Sequence, residues 1–301
     1  MKLKKHAIGI TMALAMGAHM SSLATPSETL GSWRDSTLKT SLNTYIQQTS
    51  DRRSAHFVPQ QSRIVVFDVD GTLWVEKPAY PMVGFIKGMA NTSSLNKGDL
   101  NLIELAGKLS EGMTPEDYQA KSAQYVLTQS HHPRFSKSIG QLVYQPMLEL
   151  IDNLQQHGYQ VYLCSGSDAG FLRAVSKVLF NVEPENVIAQ AINYQLVEEQ
   201  GKLRTVRGDS YRLPINLGKG KVSNIINHIG QTPILAFGNS LGDREMLKWV
   251  AAEDGLALML VHDDAQREYD YGDKNSKIQA AMAGVKVQMV SVKQHFKRIF
   301  N

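Results

Sequence analysis

Short apolar runs recur along most of the chain and are separated by amphipathic segments. Four of these runs are rich in Val, Ile and Leu, and they lie at residues 63–67, 159–164, 234–237 and 256–260. Uninterrupted apolar runs of this length are typical of strands that a parallel sheet buries on both faces. We therefore expect four strands of a parallel sheet at these positions.

Helical patterns lie between the expected strands. The clearest has apolar residues at i, i+3, i+4 and i+7, which are Met147, Leu150, Ile151 and Leu154. Pro146 is suited to open this helix and Gly158 to close it. Further helices are expected at 222–229 and 240–250. Strands that alternate with helices predict an α/β fold, a doubly wound parallel sheet.

Two segments depart from this alternation. Residues 76–144 have a helical pattern, with an apolar stripe from Leu102 to Leu109 and a helix start at Thr114-Pro115. We interpret this segment as an inserted helical cap on a core formed by residues 25–75 and 145–301. A smaller insertion at 187–206, with alternating polarity around Gly201, predicts a β-hairpin.

The first 24 residues have the order of a secretory signal peptide. Three lysines precede an apolar stretch from Ala7 to about Met20, and small residues follow up to Ala24. The stretch is shorter than the roughly 20 apolar residues that span a bilayer. We expect cleavage after Ala24 and a periplasmic or secreted protein that is not anchored in a membrane.

Charge and cysteine content exclude several classes of partner and stabilising bond. Removing residues 1–24 takes away three lysines and no acidic residue, so the formal charge falls from +4 to +1. A chain near neutrality has no general field to attract nucleic acid, so no nucleic-acid partner is expected. Cys164 is the only cysteine, which excludes an intramolecular disulfide.

The first chemical motif is Asp68-Val69-Asp70-Gly71-Thr72, directly after the first strand. Phosphate monoesters are inert in water, and their hydrolysis needs a nucleophile, a proton donor and charge compensation. Two carboxylates two residues apart provide the first two. A calcium loop shares the Asp-x-Asp-Gly pattern, but the downstream oxygen ligands of such a loop are absent here.

Two more motifs follow later strands or open helices. Ser165, at the end of its strand, could donate a hydrogen bond to a phosphoryl oxygen or could cap a helix. Lys219 and Lys221 flank Gly220 at a helix start, and either ammonium group could balance an aspartate and a phosphate dianion. A solvated basic turn is the alternative for these lysines.

The fourth motif is Phe237-Gly238-Asn239-Ser240-Leu241-Gly242-Asp243. Asn239 and Asp243 are four residues apart across an expected strand-to-helix turn, so both side-chain oxygens can face one pocket. Together with a carboxylate from the first motif they would suit Mg²⁺, which needs few protein oxygens.

These four segments, in this order and with a helical insertion after the first, resemble the haloacid dehalogenase superfamily. The resemblance covers residues from about 63 to 271 and is greatest to the phosphatase branch, in particular to a phosphoserine-phosphatase-like secreted group. It implies Asp68 as nucleophile and Mg²⁺ ligand, with Asp70 as general acid/base and a ligand through its carbonyl. It also implies Ser165 and either Lys219 or Lys221 at the phosphoryl group.

The resemblance implies a Mg²⁺-dependent hydrolase of a small-molecule phosphomonoester that passes through an aspartyl-phosphate on Asp68. The alternatives are a phosphotransferase or phosphomutase of the same fold and an inactive secreted binding protein. Asn239 stands where many members have Asp, which leads us to expect weaker metal affinity. Glu76 and His262 are secondary candidates outside the catalytic set.

Overall fold

The computed structural model describes residues 30–92 and 101–300; the expected signal peptide lies outside them. A six-stranded parallel sheet forms the centre, with the strand order β3-β2-β1-β6-β7-β8. A separate antiparallel pair, β4 and β5, forms a hairpin. The strands are β1 Ile64–Phe67, β2 Gln160–Asp168, β3 Val187–Gln190, β4 Ile192–Glu199, β5 Lys202–Tyr211, β6 Leu235–Gly238, β7 Leu256–Val261 and β8 Val287–Ser291.

Helices cover both faces of the sheet. In β1, Val65 and Phe67 belong to one buried apolar cluster, whereas Ile64 and Val66 belong to a second cluster on the other face. The helices are α1 Thr37–Ser50, α2 Pro81–Thr92, α3 Leu102–Ser110, α4 Pro115–Gln124, α5 Gln145–Gln156, α6 Ala169–Arg173, α7 Ser176–Phe180, α8 Lys219–Ile229, α9 Arg244–Ala252, α10 Asp273–Ala281 and α11 Val292–His295. The expected doubly wound α/β fold is confirmed.

The bounds of the smaller insertion were wrong. Residues 187–190 form β3, an edge strand of the main sheet paired with β2, and the hairpin runs from Ile192 to Tyr211. Edge strand β8 was also missed. Strand β8 mixes apolar and polar residues and lacks the continuous apolar run that marks a central strand. Strand β3 has such a run, but it is short, lies directly before the hairpin and was assigned to it.

Residues 76–144 leave and rejoin the core at one place. Trp74 forms an antiparallel bridge with Val143, and the Val75 N–H donates to the Leu142 carbonyl at 3.1 Å. Helices α2, α3 and α4 lie within this segment. None of the helices in residues 30–92 and 101–300 is long and apolar enough to cross a membrane.

The hairpin packs on α3 and is tied to the core by a buried ion pair. A Cβ at Gly107 would lie 2.0 Å from the Asp209 carbonyl oxygen, so only glycine permits this close approach. Arg207 of β5 donates to Asp168 at 2.6 Å, with both side chains 1% exposed, and its guanidinium lies 3.5 Å from the Tyr118 ring centre of α4. We call Asp168, Arg207, Tyr118 and Tyr211 the hairpin anchor.

Candidate active site

The sequence motifs meet at the carboxyl edge of the central strands. Asp68 follows β1 and Asn239 follows β6, and these two strands are neighbours in the sheet. The Asp68 N–H donates to the Phe237 carbonyl at 2.9 Å, which fixes the first loop against the fourth. Parallel strands bring their carboxyl ends to one edge, and this places the motifs side by side.

Lys221, which belongs to the third motif, contacts the segments that carry the other three motifs. Its Nζ donates to Asp68 Oδ1 and to Asp243 Oδ1, both at 2.6 Å, and to the Cys164 carbonyl at 2.8 Å. The Lys221 side chain is 1% exposed. Burial alone would lower the pKa of Lys221, but the charges of Asp243 and Asp68 raise it above its usual value. Lys221 therefore remains an ammonium group.

Lys219 does not share this position. It is the first residue of α8 and is exposed to solvent, whereas Lys221, two residues later, points into the sheet edge. Positions two apart on a helix face different directions. Of the two expected lysines, the structure therefore brings Lys221 to Asp68 and Asp243 and does not bring Lys219 to them.

Asp68 and Asp243 together contribute two negative charges, and Lys221 balances one of them. The Asp68 carboxylate is buried and also accepts from the Thr72 hydroxyl at 3.1 Å. Burial and the nearby charge of Asp243 raise the pKa of Asp68 to about 8. Ionised Asp68 is therefore stabilised by any further cation that enters the site.

Asp70 lies in a different setting, among hydrogen-bond donors. Trp74 Nε1 donates to its Oδ1 at 2.8 Å, and the hydroxyls of Ser165 and Ser167 donate to its Oδ2 at 3.1 and 2.8 Å. Burial nevertheless raises the pKa of Asp70, which favours its protonated form. Asp68 and Asp70 thus have separate partners and separate environments.

Ser165 is part of β2 and does not cap a helix, since Asp168 is the N-cap of α6. The hydroxyl of Ser165 accepts the Ser167 N–H at 3.0 Å and donates to Asp70. The alternative in which Ser165 is a helix N-cap is thereby excluded. Its hydroxyl lines the same cavity as Asp68 and Lys221.

Asn239 has one satisfied and one unsatisfied polar atom. Its Nδ2 donates to Glu76 Oε1 at 3.2 Å, while its buried Oδ1 has no hydrogen-bond partner. Glu76 is held in turn by Lys274 Nζ at 2.7 Å. A buried acceptor without a donor is unusual in proteins, and a metal ion is a natural partner for it. At this edge of the sheet, the Asn239 oxygen is therefore available to a cation.

The side chains at this edge fit Mg²⁺. Asp68 and Asp243 offer carboxylates and Asn239 offers a neutral oxygen, all hard ligands of the kind that Mg²⁺ prefers. Among residues 30–92 and 101–300 no group of three or more His, Cys, Asp or Glu is arranged to hold a metal. A set of two carboxylates with amide and carbonyl oxygens does not require such a group.

A buried chain of hydrogen bonds supports the first loop from behind. His262 Nε2 lies 2.7 Å from the Gly71 carbonyl, and His262 Nδ1 lies 2.6 Å from Glu268 Oε1. Tyr144 donates to the other Glu268 oxygen at 2.9 Å. Burial alone would lower the pKa of His262, but the charge of Glu268 raises it. His262 thus contacts the loop that carries Asp68 and Asp70.

Sequence reasoning placed Glu76 and His262 outside the catalytic set. Glu76 closely follows the first motif and His262 lies beyond the fourth, and only tertiary contacts connect them to Asn239 and Gly71. The available indication was topological: His262 directly follows β7, a central strand whose carboxyl end lies at the same edge as β1.

Comparison with known families agrees with this geometry. The family model described as haloacid dehalogenase-like hydrolase matches residues 65–248, more than half of the chain. The chain belongs to the haloacid dehalogenase-like hydrolase family. The expected superfamily is therefore confirmed, and the matched region contains the motifs that carry Asp68, Ser165, Lys221 and Asp243.

Solved structures show the same fold at low identity. A protein of Anaerococcus prevotii whose function is unknown is 13% identical, with a TM-score of 0.55 over 87% of this chain and 94% of that one. A protein of unknown function from Bordetella pertussis is 14% identical, with a TM-score of 0.50 over 75% and 98%. A probable phosphoserine phosphatase from Vibrio cholerae is 13% identical, with a TM-score of 0.42 over 77% and 62%. A search of curated proteins found no match.

Proposed function

We propose that this hydrolase is a phosphatase, a Mg²⁺-dependent phosphomonoesterase that uses Asp68 as its nucleophile. One observation supports the proposal above the others: Lys221 lies 2.6 Å from both Asp68 and Asp243, and the unpartnered oxygen of Asn239 belongs to the same edge. A nucleophile, an ammonium group and metal-binding oxygens are the parts that phosphoryl transfer needs.

Two half-reactions follow from these groups. In the first, an oxygen of Asp68 attacks phosphorus, the bond from phosphorus to the ester oxygen breaks, and the Asp70 carboxyl gives its proton to the departing alcohol. In the second, Asp70 takes a proton from water, the water oxygen attacks phosphorus, and phosphate leaves Asp68. Atoms and protons balance over the cycle, and Asp70 ends protonated as it began.

The surrounding residues hold charges and protons in place. The Lys221 ammonium offsets the negative charge of Asp68 and the phosphoryl group. Ser165 is positioned to donate to a phosphoryl oxygen when it releases Asp70. When bound by Asp68, Asp243, Asn239 and the Asp70 carbonyl, Mg²⁺ supplies positive charge for the phosphoryl oxygens.

A panel of phosphomonoesters tests this proposal. We expect phosphate release with Mg²⁺, loss of release with EDTA, and loss in Asp68→Asn. Asp254→Asn is the matched control, because Asp254 is 95% exposed and does not line the cavity that contains Asp68. Turnover that persists in EDTA or in Asp68→Asn would refute the mechanism.

Two rival functions give different results in the same assays. A phosphotransferase or mutase would pass phosphate to an added alcohol or sugar instead of water. An inactive binding protein would release no phosphate and form no beryllofluoride adduct at Asp68, which ¹⁹F NMR detects. We expect release to water and an adduct that Asp68→Asn abolishes.

We further propose that the protein acts in the periplasm or outside the cell. The support is the order of lysines, apolar residues and small residues in the first 24 positions. Expression of the full chain should give a product that begins at Thr25, as N-terminal sequencing would determine. A retained Met1 would contradict this proposal.

A further inference from the structure

The cavity over Asp68 is lined by two chemically different groups of side chains. Its volume is about 270 Å³, and one group contains Asp68, Asp70, Ser165 and Lys221. The other group is apolar, and we call it the apolar wall. It comes from two helices of the insertion, α2 and α3, and from the loop before α8, with the side chains Val83, Ile86, Leu102, Ile103, Ile215 and Leu217.

Several of these apolar side chains are exposed to solvent. Leu102, Ile103 and Leu217 are 41%, 46% and 54% exposed, and Tyr80, which lines the same cavity, is 48% exposed. Single exposed apolar residues are common, but several that share one concave surface beside reactive groups are typical of a ligand site. The wall is continuous with the proposed reaction centre.

Two of the polar side chains that line this cavity are already engaged within the protein. Gln190 donates to the Arg212 carbonyl and accepts from the Asn216 N–H, at 2.7 and 2.8 Å. The Tyr211 hydroxyl donates to Asp168 at 2.8 Å. These side chains are therefore poorly placed to replace the water that a polar leaving group gives up.

The charges of the cavity are also engaged. Among the lining residues that the structure describes, Lys221 is the one cation, and it is paired with Asp68 and Asp243. Glu76 is paired with Lys274. A leaving group with its own ammonium and carboxylate, as in phosphoserine, would find no unpaired partner for either charge among these residues.

We propose that the substrate is a phosphomonoester of an apolar alcohol or phenol, whose carbon body lies against this wall while its phosphoryl group faces Asp68. This inference rests on the proposed phosphatase function. It gives the inserted helices a specific role, which is to select the leaving group by apolar contact.

Matched alkyl esters test the preference. Hexyl phosphate, glycerol 1-phosphate and phosphoserine are all esters of primary alcohols, so their comparison largely removes differences in intrinsic leaving-group reactivity. We expect kcat/KM for hexyl phosphate to exceed the other two by about 10-fold or more, since each buried methylene contributes. An equal or higher value for glycerol 1-phosphate or phosphoserine would overturn the inference.

Variants locate the preference in the wall. Ile103→Asn and Leu217→Asn should each lower the ratio of kcat/KM for hexyl phosphate over glycerol 1-phosphate by about 5-fold or more. Leu203→Asn is the matched control, because Leu203 is 67% exposed on the hairpin and does not line the cavity. An unchanged ratio in both wall variants, with folding verified by circular dichroism, would contradict the assignment.

A binding measurement separates this inference from the proposed function. Hexylphosphonate cannot be hydrolysed, so calorimetry with Mg²⁺ reports recognition without turnover. We expect it to bind more tightly than 2,3-dihydroxypropylphosphonate. Absence of hydrolysis with tighter hexylphosphonate binding would refute the phosphatase and keep the apolar site. Hydrolysis with no preference in either assay would keep the phosphatase and refute the apolar site.

Discussion

Two buried clusters of charged side chains have similar geometry but differ in the ratio of carboxylates to cations. In the hairpin anchor, Arg207 forms an ion pair with Asp168 at 2.6 Å, so one positive charge balances one negative charge. In the active-site cluster, Lys221 forms ion pairs with Asp68 and Asp243, also at 2.6 Å, so two carboxylates share one ammonium group. All five side chains are at most 9% exposed.

The difference lies in the net charge and not in the number of hydrogen bonds. Asp168 also accepts from the Tyr211 hydroxyl and the Phe171 N–H, and Asp243 likewise accepts from the N–H groups of Asn239 and Ser240. The anchor is neutral, whereas the active-site cluster keeps a negative excess and an unpartnered Asn239 oxygen. A buried excess of negative charge is unfavourable until a cation binds, and this supports the proposed Mg²⁺ site.

The largest expected effect is on activity and distinguishes the two clusters directly. Asp68→Asn should lower kcat by at least about 1,000-fold, because it removes the nucleophile. Asp168→Asn should lower kcat far less, provided that it is assayed below its unfolding temperature. Phosphate release under single-turnover conditions measures both variants. Equal losses of kcat would show that the two clusters do not differ in their role in catalysis.

The next effect is on stability and has the opposite order. Asp168→Asn should lower the free energy of unfolding by about 3–5 kcal/mol, because it leaves Arg207 buried without a counter-charge. Urea unfolding with EDTA present measures this change, and Asp209→Asn on the exposed part of the hairpin is the control. A loss below about 1 kcal/mol would mean that solvent reaches Arg207.

Asp68→Asn should instead stabilise the metal-free protein at high pH. The folded-state pKa of Asp68 is raised from 3.8 to about 8, so the fold favours its protonated form. Stability is then lost as the pH rises from about 4 towards 8. Relative to wild type, the variant should gain at least about 1 kcal/mol at pH 8 and much less at pH 4.5. Urea titrations at both pH values measure the gain, and its absence at pH 8 would contradict the charge excess.

A smaller effect concerns the proton on Asp70. The Ser167 hydroxyl donates to Asp70 and lowers the pKa of that carboxyl. Ser167→Ala should therefore raise the pKa of Asp70 and move the alkaline limb of the kcat profile to higher pH. Ser122→Ala, a buried serine of α4 that donates to the Tyr118 carbonyl, is the control. A shift to lower pH would assign that limb to another group.

The smallest effect sharpens the role of Asn239. An Asp at this position would face the Glu76 carboxylate, which now accepts from Asn239 at 3.2 Å. Asn239→Asp should therefore improve the Mg²⁺ half-saturation concentration by about 3- to 10-fold more in a Glu76→Gln background than alone. Calorimetric Mg²⁺ titration of the four proteins measures this coupling. Equal effects in both backgrounds would show that Glu76 does not influence the metal site.

Much of the fold could be predicted because the sequence patterns that indicate its strands and helices lie within short segments. The buried runs around Ile64 and Leu256 identify central strands, and Thr114 with Pro115 identifies a helix start that the structure confirms, with the Thr114 side chain accepting from the Asp117 N–H. Edge strand β8 escaped detection because polar residues interrupt its apolar run. The apolar run of β3 is short and lies directly before the hairpin, so it was interpreted as part of the hairpin, and this made the hairpin bounds wrong.

Residues of the candidate site could be predicted from the sequence only where both the residue type and its position after a strand indicated a role. Asp68, Asp70, Asn239 and Asp243 follow strands whose carboxyl ends must converge in a parallel sheet, so their proximity was predictable. The direction of a side chain on a helix start was not, and the structure was needed to choose Lys221 over Lys219.

The amino-acid sequence by itself determined the central strands, the main helices between them, the candidate reactive groups and the family, since each depends on patterns within short segments. Only the tertiary structure decided how charges are shared, that Glu76 orients Asn239, that His262 supports Gly71, and that apolar residues from three segments form one wall. These features join residues far apart in the chain, and their energies depend on burial and distance, which no local pattern specifies.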